Sequence, residues 1–299
     1  MIRTACYSLL AAVCALMLAP FGRAGTAPAG EAAGLERDGA MNGKLQTLVS
    51  RLNLDGAVAR KKFAVSLVDV TDSEHPRYAG VNDTVMMYAA SLPKIAILLA
   101  GFEQVRQGSL SYSPEMREMF NRIARYSSNT DASKAVRMIG FDKIAATLTS
   151  AKYKLYDPEQ NGGLWVGKAY GGPNDYWRPD PMHHLSHGAT TLQTARFFTL
   201  LAQDKLVDAE MSRELRQVLG HPGIHHKFVK GLDGVAGVTM YRKSGTWQNW
   251  HADGALIEYN GKRYVAAALF EDPQGGRMLE KLIVGLHAII CGQSRNTAD

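Results

Sequence analysis

Residues 89–102 read Ala-Ala-Ser-Leu-Pro-Lys-Ile-Ala-Ile-Leu-Leu-Ala-Gly-Phe. The stretch predicts a helix from Ala89 to about Val105, with Pro93 in its first turn, where a missing N–H costs little. Ile95, Ala96, Ile97, Leu98, Leu99, Ala100 and Phe102 make that helix apolar all round, which places it in the middle of a domain rather than on its surface. Two polar side chains, Ser91 and Lys94, stand at its start, and residues at i and i+3 share a helix face. Lys94 is therefore expected to reach the Ser91 hydroxyl. Apolar walls disfavour the ammonium form, lower its pKa and make it usable as a base for a serine nucleophile. Taken alone, the same four residues also read as an N-cap serine followed by a snorkelling lysine.

Outward from this helix the chain changes character on both sides. Upstream, a helix is expected near Gly43–Leu54, a strand over Phe63–Val70, a turn at Thr71–Glu74 and a returning strand at Arg77–Val81. Downstream, helical patterns cover Pro114–Arg125, Thr130–Ile139 and Asp142–Ser150. Residues 156–188, rich in Gly, Pro, Asn and Asp and carrying Trp165 and Trp177, read as a long loop, and loops of that length tend to be functional or mobile. Helices resume at Thr191–Gln203 and Ala209–Leu219. Strands follow at Val238–Lys243, Ala252–Tyr259 and Arg263–Glu271, with a tight Asn260-Gly261 hairpin turn between the last two and a closing helix near Gly276–Ile290. The expected class is α+β. An antiparallel sheet is built from both chain ends, flanked by helices, and an all-helical domain is inserted between its halves. The sheet part falls at about 43–88 and 220–295, the helical part at about 89–219.

The chain has 299 residues, a formal net charge of +6, 46% hydrophobic and 21% charged residues, an ordinary globular balance. Arg3 followed by the apolar run of residues 5–19 and by Gly22-Arg23-Ala24 reads as a signal peptide over 1–24, with a small-residue leader over 25–42. The alternative is an uncleaved N-terminal anchor. With the signal removed, a periplasmic or secreted protein without stable membrane insertion is expected. Cys6 and Cys14 fall inside that segment, so only Cys291 remains and no intramolecular disulfide is possible. The basic residues are scattered, without a basic tract or interleaved aromatics, which argues against nucleic acid as a partner.

Two further motifs follow Ser91-Leu92-Pro93-Lys94 in order. Ser127-Ser128-Asn129 lies between two helical patterns, where a hydroxyl can pass a proton to a leaving nitrogen and an amide can hold a carbonyl. Its bland alternative is an N-cap for the next helix. Lys243-Ser244-Gly245-Thr246 sits at the end of an expected strand. There Lys243 supplies positive charge, Ser244 and Thr246 bind an anionic group, and Gly245 lets a substrate backbone approach. The alternative is a strand running into a turn. The backbone N–H groups of Ser91 and Thr246 are the candidate oxyanion hole.

In this order and context the three motifs resemble those of the class A β-lactamase and penicillin-binding serine hydrolase superfamily, over roughly residues 45–290. The resemblance implies Ser91 as acylated nucleophile, Lys94 as base and Ser127 as proton shuttle. It implies Asn129 as substrate contact and Lys94 partner, and Lys243 with Thr246 as carboxylate binders. The implied substrate is a small β-lactam or a cell-wall peptide, and no cofactor is implied. Three departures stand out. Ser128 takes the place of a usual Asp, the interval from Lys94 to Ser127 is short, and the Glu-x-x-Leu-Asn motif that activates the deacylating water is absent. Glu159 is the nearest candidate for that glutamate and reads equally as a solvent-facing turn residue. The histidines at 183, 184 and 187 and at 221, 225 and 226 cluster, but the former group lies in loop rather than on a helix face, and no metal is assigned. A β-lactamase-like hydrolase, a D-Ala-D-Ala peptidase and a penicillin-binding module that acylates once all remain open.

Overall fold

A computed structural model describes residues 34–172 and 175–292, so the signal-peptide reading of residues 1–24 lies outside the described residues. The N-terminal part comprises β1 (Glu36–Arg37), α1 (Gly39–Arg51), α2 (Asp55–Ala59), β2 (Phe63–Asp69), β3 (Arg77–Val81) and β4 (Met87–Tyr88). Helices α3 (Lys94–Arg106), α4 (Pro114–Arg125), α5 (Asn129–Ile139) and α6 (Phe141–Thr149) follow. Next come the short strands β5 (Tyr156–Asp157), β6 (Gly162–Gly163), β7 (Trp165–Val166) and β8 (His187–Ala189). The chain then runs through α7 (Thr191–Ala202), α8 (Ala209–Leu219), α9 (Phe228–Gly231), β9 (Thr239–Trp247), β10 (Trp250–Tyr259), β11 (Lys262–Glu271) and α10 (Gly275–Cys291).

Both chain ends build one six-stranded sheet, ordered β1-β3-β2-β11-β10-β9. Every pairing in it is antiparallel except the edge pair β1–β3, which is parallel. The sheet carries an apolar layer on each face, and strand periodicity sorts the residues between them. In β2, Phe63, Val65 and Leu67 join the layer beneath α1 and α10, whereas Ala64 and Val68 join the layer shared with the helical region. β11 alternates likewise, with Tyr264, Ala266 and Ala268 on one side and Val265, Ala267 and Leu269 on the other. Helix α3 runs through the second layer and is buried continuously from Lys94 to Phe102. Among the described residues no helix is long and apolar enough to cross a membrane.

The element order follows the sequence reading, with local differences. α1 begins at Gly39, ahead of the expected Gly43, because the Asp38 side chain accepts from Met41 N at 2.9 Å and caps it there. β1 and this first turn thus occupy part of the expected leader. α3 starts at Lys94, not Ala89. Ala90 is left-handed at φ 50°, and the backbone reaches the helix through i→i−3 bonds, Leu92 N to Ala89 O at 3.0 Å and Ile95 N to Leu92 O at 3.2 Å. β9 continues past Lys243 to Trp247, so all of Lys243–Thr246 is paired strand. The Asn260-Gly261 turn is as read, with φ positive at both residues, 45° and 74°, as a tight right-twisted hairpin requires. Around Asp180 the long loop is packed rather than loose: this buried carboxylate accepts from the N–H groups of Met182, His183 and Leu185 and from the Tyr156 hydroxyl.

Candidate active site

Ser91 lies in the turn between β4 and α3, half-buried in the wall of a cleft of about 400 Å³. The residue before it, Ala90, and Ser127 across the cleft both hold positive φ (50° and 58°). Left-handed non-glycine residues of this kind cost about 1–3 kcal/mol and persist only where the surroundings fix them. Here the turns are fixed by buried Leu92 on one side and by the α4–α5 junction on the other. At that junction Ser128 is the N-cap of α5, accepting from Asp131 N at 3.2 Å, while Arg122 clamps the Asp131 carboxylate with two bonds of 2.9 Å. Capping is therefore done by Ser128, which leaves the Ser127 hydroxyl to the amines of Lys94 and Lys243.

Lys94 Nζ, fully buried, donates to Ser127 O at 2.6 Å and Asn129 Oδ1 at 2.7 Å, with Ser127 Oγ and Ser128 O each at 3.4 Å. The Tyr170 ring centroid stands 4.4 Å from the same nitrogen. No carboxylate is among these partners, so burial dominates and pulls the ammonium down to about 7. Lys243 Nζ donates to the same Ser127 hydroxyl at 2.9 Å and to Ser244 O at 2.6 Å. Burial, and then the nearby Lys94 charge, push Lys243 well below its usual range. Two amines thus meet on one hydroxyl, a path along which a proton can pass.

β9 is pressed onto the Ser91 turn through Gly245. A Cβ at this position would lie 2.1 Å from Ala89 O and 2.9 Å from Ser91 N, so only glycine allows the approach. Thr246 follows immediately, which brings it beside the Ser91 backbone. Lys227, absent from the sequence reading, supports this end of the strand. Its buried amine donates to Gly245 O at 2.6 Å, Thr246 Oγ1 at 2.8 Å and Ala252 O at 3.1 Å. Burial lowers it to about 7, against the opposing pull of Asp253. Asp253 is itself held by Arg242 with two bonds of 2.7 Å, both side chains fully buried. Ser244 Oγ meets His226 Nε2 at 3.2 Å. Lys227 precedes the four-residue helix α9 and carries no spacing signal; its role comes from the fold alone.

The opposite wall comes from the long loop. Lys168, Tyr170 and His187 line the cleft with Tyr88. Tyr170 stacks on His187 at 4.2 Å, and burial brings His187 down to about 4. The structure does not bring Glu159 to this wall. It lies exposed in the 3₁₀ turn Pro158–Gln160, where Asp157 caps its N–H and left-handed Asn161 (φ 61°) turns the chain so that Gln160 is the buried residue. Its carboxylate has no hydrogen-bond or ion-pair partner among the described residues, and no carboxylate is among the residues lining the cleft. Of the clustered histidines, His183 contacts Asn161 and His225 contacts Asp233, and no group of three or more potential metal ligands gathers among the described residues.

Comparison with known proteins agrees with this arrangement. The model of the family described as "Beta-lactamase enzyme family" matches residues 45–128 and 114–291. A β-lactamase from Sphaerobacter thermophilus superposes with a TM-score of 0.62 at 14% identity, covering 79% of this chain and 94% of that one. PBP-A superposes with a TM-score of 0.62 at 16% identity, covering 85% and 96%. A mutant of PBP-A, solved as an acyl-enzyme complex with penicillin G, does so with 0.62 at 17% identity, covering 84% and 96%. At these identities the solved structures bear on the fold alone. No curated protein matches the chain. With the family's profile running through nearly all of the described residues, and with its fold built from both chain ends, the chain belongs to the beta-lactamase enzyme family.

Proposed function

We propose that this chain opens β-lactam amides through an acyl-enzyme on Ser91. The observation that carries the reading is the buried Lys94 amine, held by Ser127 and Asn129 at the start of the helix that follows Ser91 and brought near neutrality by burial. The neutral amine takes the proton of Ser91 Oγ as that oxygen bonds to the amide carbon. The N–H groups of Ser91 and Thr246 hold the developing oxyanion. As the C–N bond breaks, the proton reaches the leaving nitrogen through the Ser127 hydroxyl, which both lysine amines contact. A substrate carboxylate near Lys243 and Thr246 would favour the charged form of an amine that burial disfavours. Deacylation returns the proton to Ser91 Oγ as water takes the acyl group. A periplasmic or secreted location is part of the proposal and rests on the pattern of residues 1–24.

One observation favours a second reading, a D-Ala-D-Ala peptidase or penicillin-binding protein with slow deacylation. The Lys94 amine faces the Tyr170 ring rather than a carboxylate that could activate water, and Glu159 faces solvent. A time course with excess chromogenic cephalosporin separates the two. Sustained turnover, lost in Ser91→Ala, is expected for the hydrolase. A burst of about one product per protein followed by a stall moves the assignment to the second reading. Turnover that survives Ser91→Ala contradicts both.

A further inference from the structure

Of the clustered histidines, His187 is the one that lines the cleft. It stands on β8, which is tied to the nucleophile turn, because Ala89 N donates to His187 O at 2.9 Å. His187 is 2% exposed, and its Nε2 lies 3.0 Å from the Lys168 carbonyl oxygen. A carbonyl can only accept, so Nε2 carries the ring proton and donates it there. In the neutral imidazole, which burial favours, Nδ1 is then an acceptor with a free lone pair. That nitrogen is buried and has no hydrogen-bond partner among the described residues. The hydroxyl of Tyr170, whose ring stacks on His187 at 4.2 Å, is buried and unpartnered in the same way. Tyr170 is itself held firmly: Ser133 Oγ donates to its carbonyl at 2.6 Å and accepts from its N–H at 2.9 Å. Buried polar atoms without partners are uncommon in folded chains and often belong to a catalytic role or a bound small molecule. Here a free acceptor and a free donor sit on two stacked rings of the cleft that holds Ser91, and no carboxylate is among the residues lining it.

Resting on the serine acyl-enzyme reading, we propose that His187 is the base of its second half: Nδ1 accepts a proton from the water that attacks the Ser91 acyl group, and the Tyr170 hydroxyl donates to that water and orients it. Water both donates and accepts, as this pair of atoms requires. Its oxygen bonds to the acyl carbon as Nδ1 takes one of its protons. The bond from that carbon to Ser91 Oγ then breaks, and the proton on Nδ1 passes to Ser91 Oγ, which restores the serine and the neutral ring. The other water proton leaves with the product acid. Lys94 and Ser127 thus serve acylation and His187 and Tyr170 serve deacylation, so substitutions separate the two halves of the reaction.

The test follows formation of the Ser91 adduct with benzylpenicillin and, after free penicillin is removed, its decay, both by intact mass. His187→Gln keeps a donor for Lys168 O but has no base. Its adduct is expected to form at the wild-type rate and to decay about a hundredfold more slowly, the scale of general-base catalysis. Tyr170→Phe keeps the ring, and its adduct should decay about tenfold more slowly, the scale of one hydrogen bond. Hydroxylamine attacks an ester without a base, so it should release the adduct of His187→Gln as fast as that of the wild type. Release slowed as much as hydrolysis would make the residue structural and overturn the proposal. Decay unchanged in either variant also overturns it, as does a wild-type adduct as persistent as that of His187→Gln, and in each of these cases the acylation of Ser91 stands. If Ser91 is not labelled and penicillin is not consumed, the acyl-enzyme reading fails and the base with it.

Discussion

Lys94 shows how one residue's surroundings set its chemistry. Its amine is fully buried beside carbonyl and amide oxygens and one ring, and burial brings its pKa to about 7. Under the acyl-enzyme proposal, the amine is protonated below that pH and cannot accept the Ser91 proton, and above it the amine is free to do so. The acylation rate of the wild type is therefore expected to rise with pH through about 7 and then level. Lys94→Arg, whose guanidinium stays charged, should lose that rising limb and about a hundredfold or more in rate. A pH–rate profile of the two proteins checks this, and an unchanged limb in the variant would assign the titration elsewhere. At this scale, the structure brings Lys94, Ser127, Asn129 and Lys243 into one hydrogen-bonded group, as their placement relative to readable elements suggested, whereas the expected contact of Lys94 with the Ser91 hydroxyl is not among the hydrogen bonds of the described residues. Lys227, which braces β9, and Tyr170, which lines the cleft, were not legible in the sequence, since each is placed by irregular backbone whose path depends on tertiary packing. Glu159 was singled out by its distance along the chain, and distance along a turn-rich loop does not fix which way a side chain faces.

The element that organises the cleft is β9. It carries Lys243 and Thr246 and presses Gly245 against the turn of Ala89–Leu92. Backbone meets backbone there, so the clash that Gly245→Ala introduces cannot be relieved by a rotamer change. That substitution is expected to cost about 1–3 kcal/mol, the scale of overpacking. It should also cost at least about tenfold in acylation, because it pushes Thr246 away from Ser91. Denaturant unfolding and acylation kinetics measure the two effects, and a variant with wild-type stability and rate would show that the strand does not rest on the turn. The sequence marked the strands and their hairpin well, because alternation and an Asn-Gly turn are local signals. It misplaced the start of α3, because nothing local announces that Ala90 adopts positive φ. That conformation is imposed by β9 and Leu92 around it.

Across the whole molecule, one sheet with two covered faces explains why its central strands read as continuous apolar runs. Successive residues of β2 and β11 serve different layers, and both layers are apolar. The expectation of a sheet closed by both chain ends around helices followed from the order of these runs. The structure of residues 156–188 did not follow from it. Among the described residues of this stretch, order comes from Asp180 accepting three backbone N–H groups and from Trp177 stacking on Phe141 of α6, contacts that leave no periodic trace in sequence. The same assembly joins Ser91 from the start of the helical region to Lys243 and Thr246 from the last strands, and the central claim is that this junction makes Ser91 a nucleophile toward β-lactams. The most direct measurement is to incubate the protein with benzylpenicillin, then locate the adduct by intact mass and peptide mapping. One penicilloyl group per protein, on Ser91, and none on the Ser91→Ala variant, is the predicted result. No adduct and no turnover, or an adduct on a different residue, would contradict it.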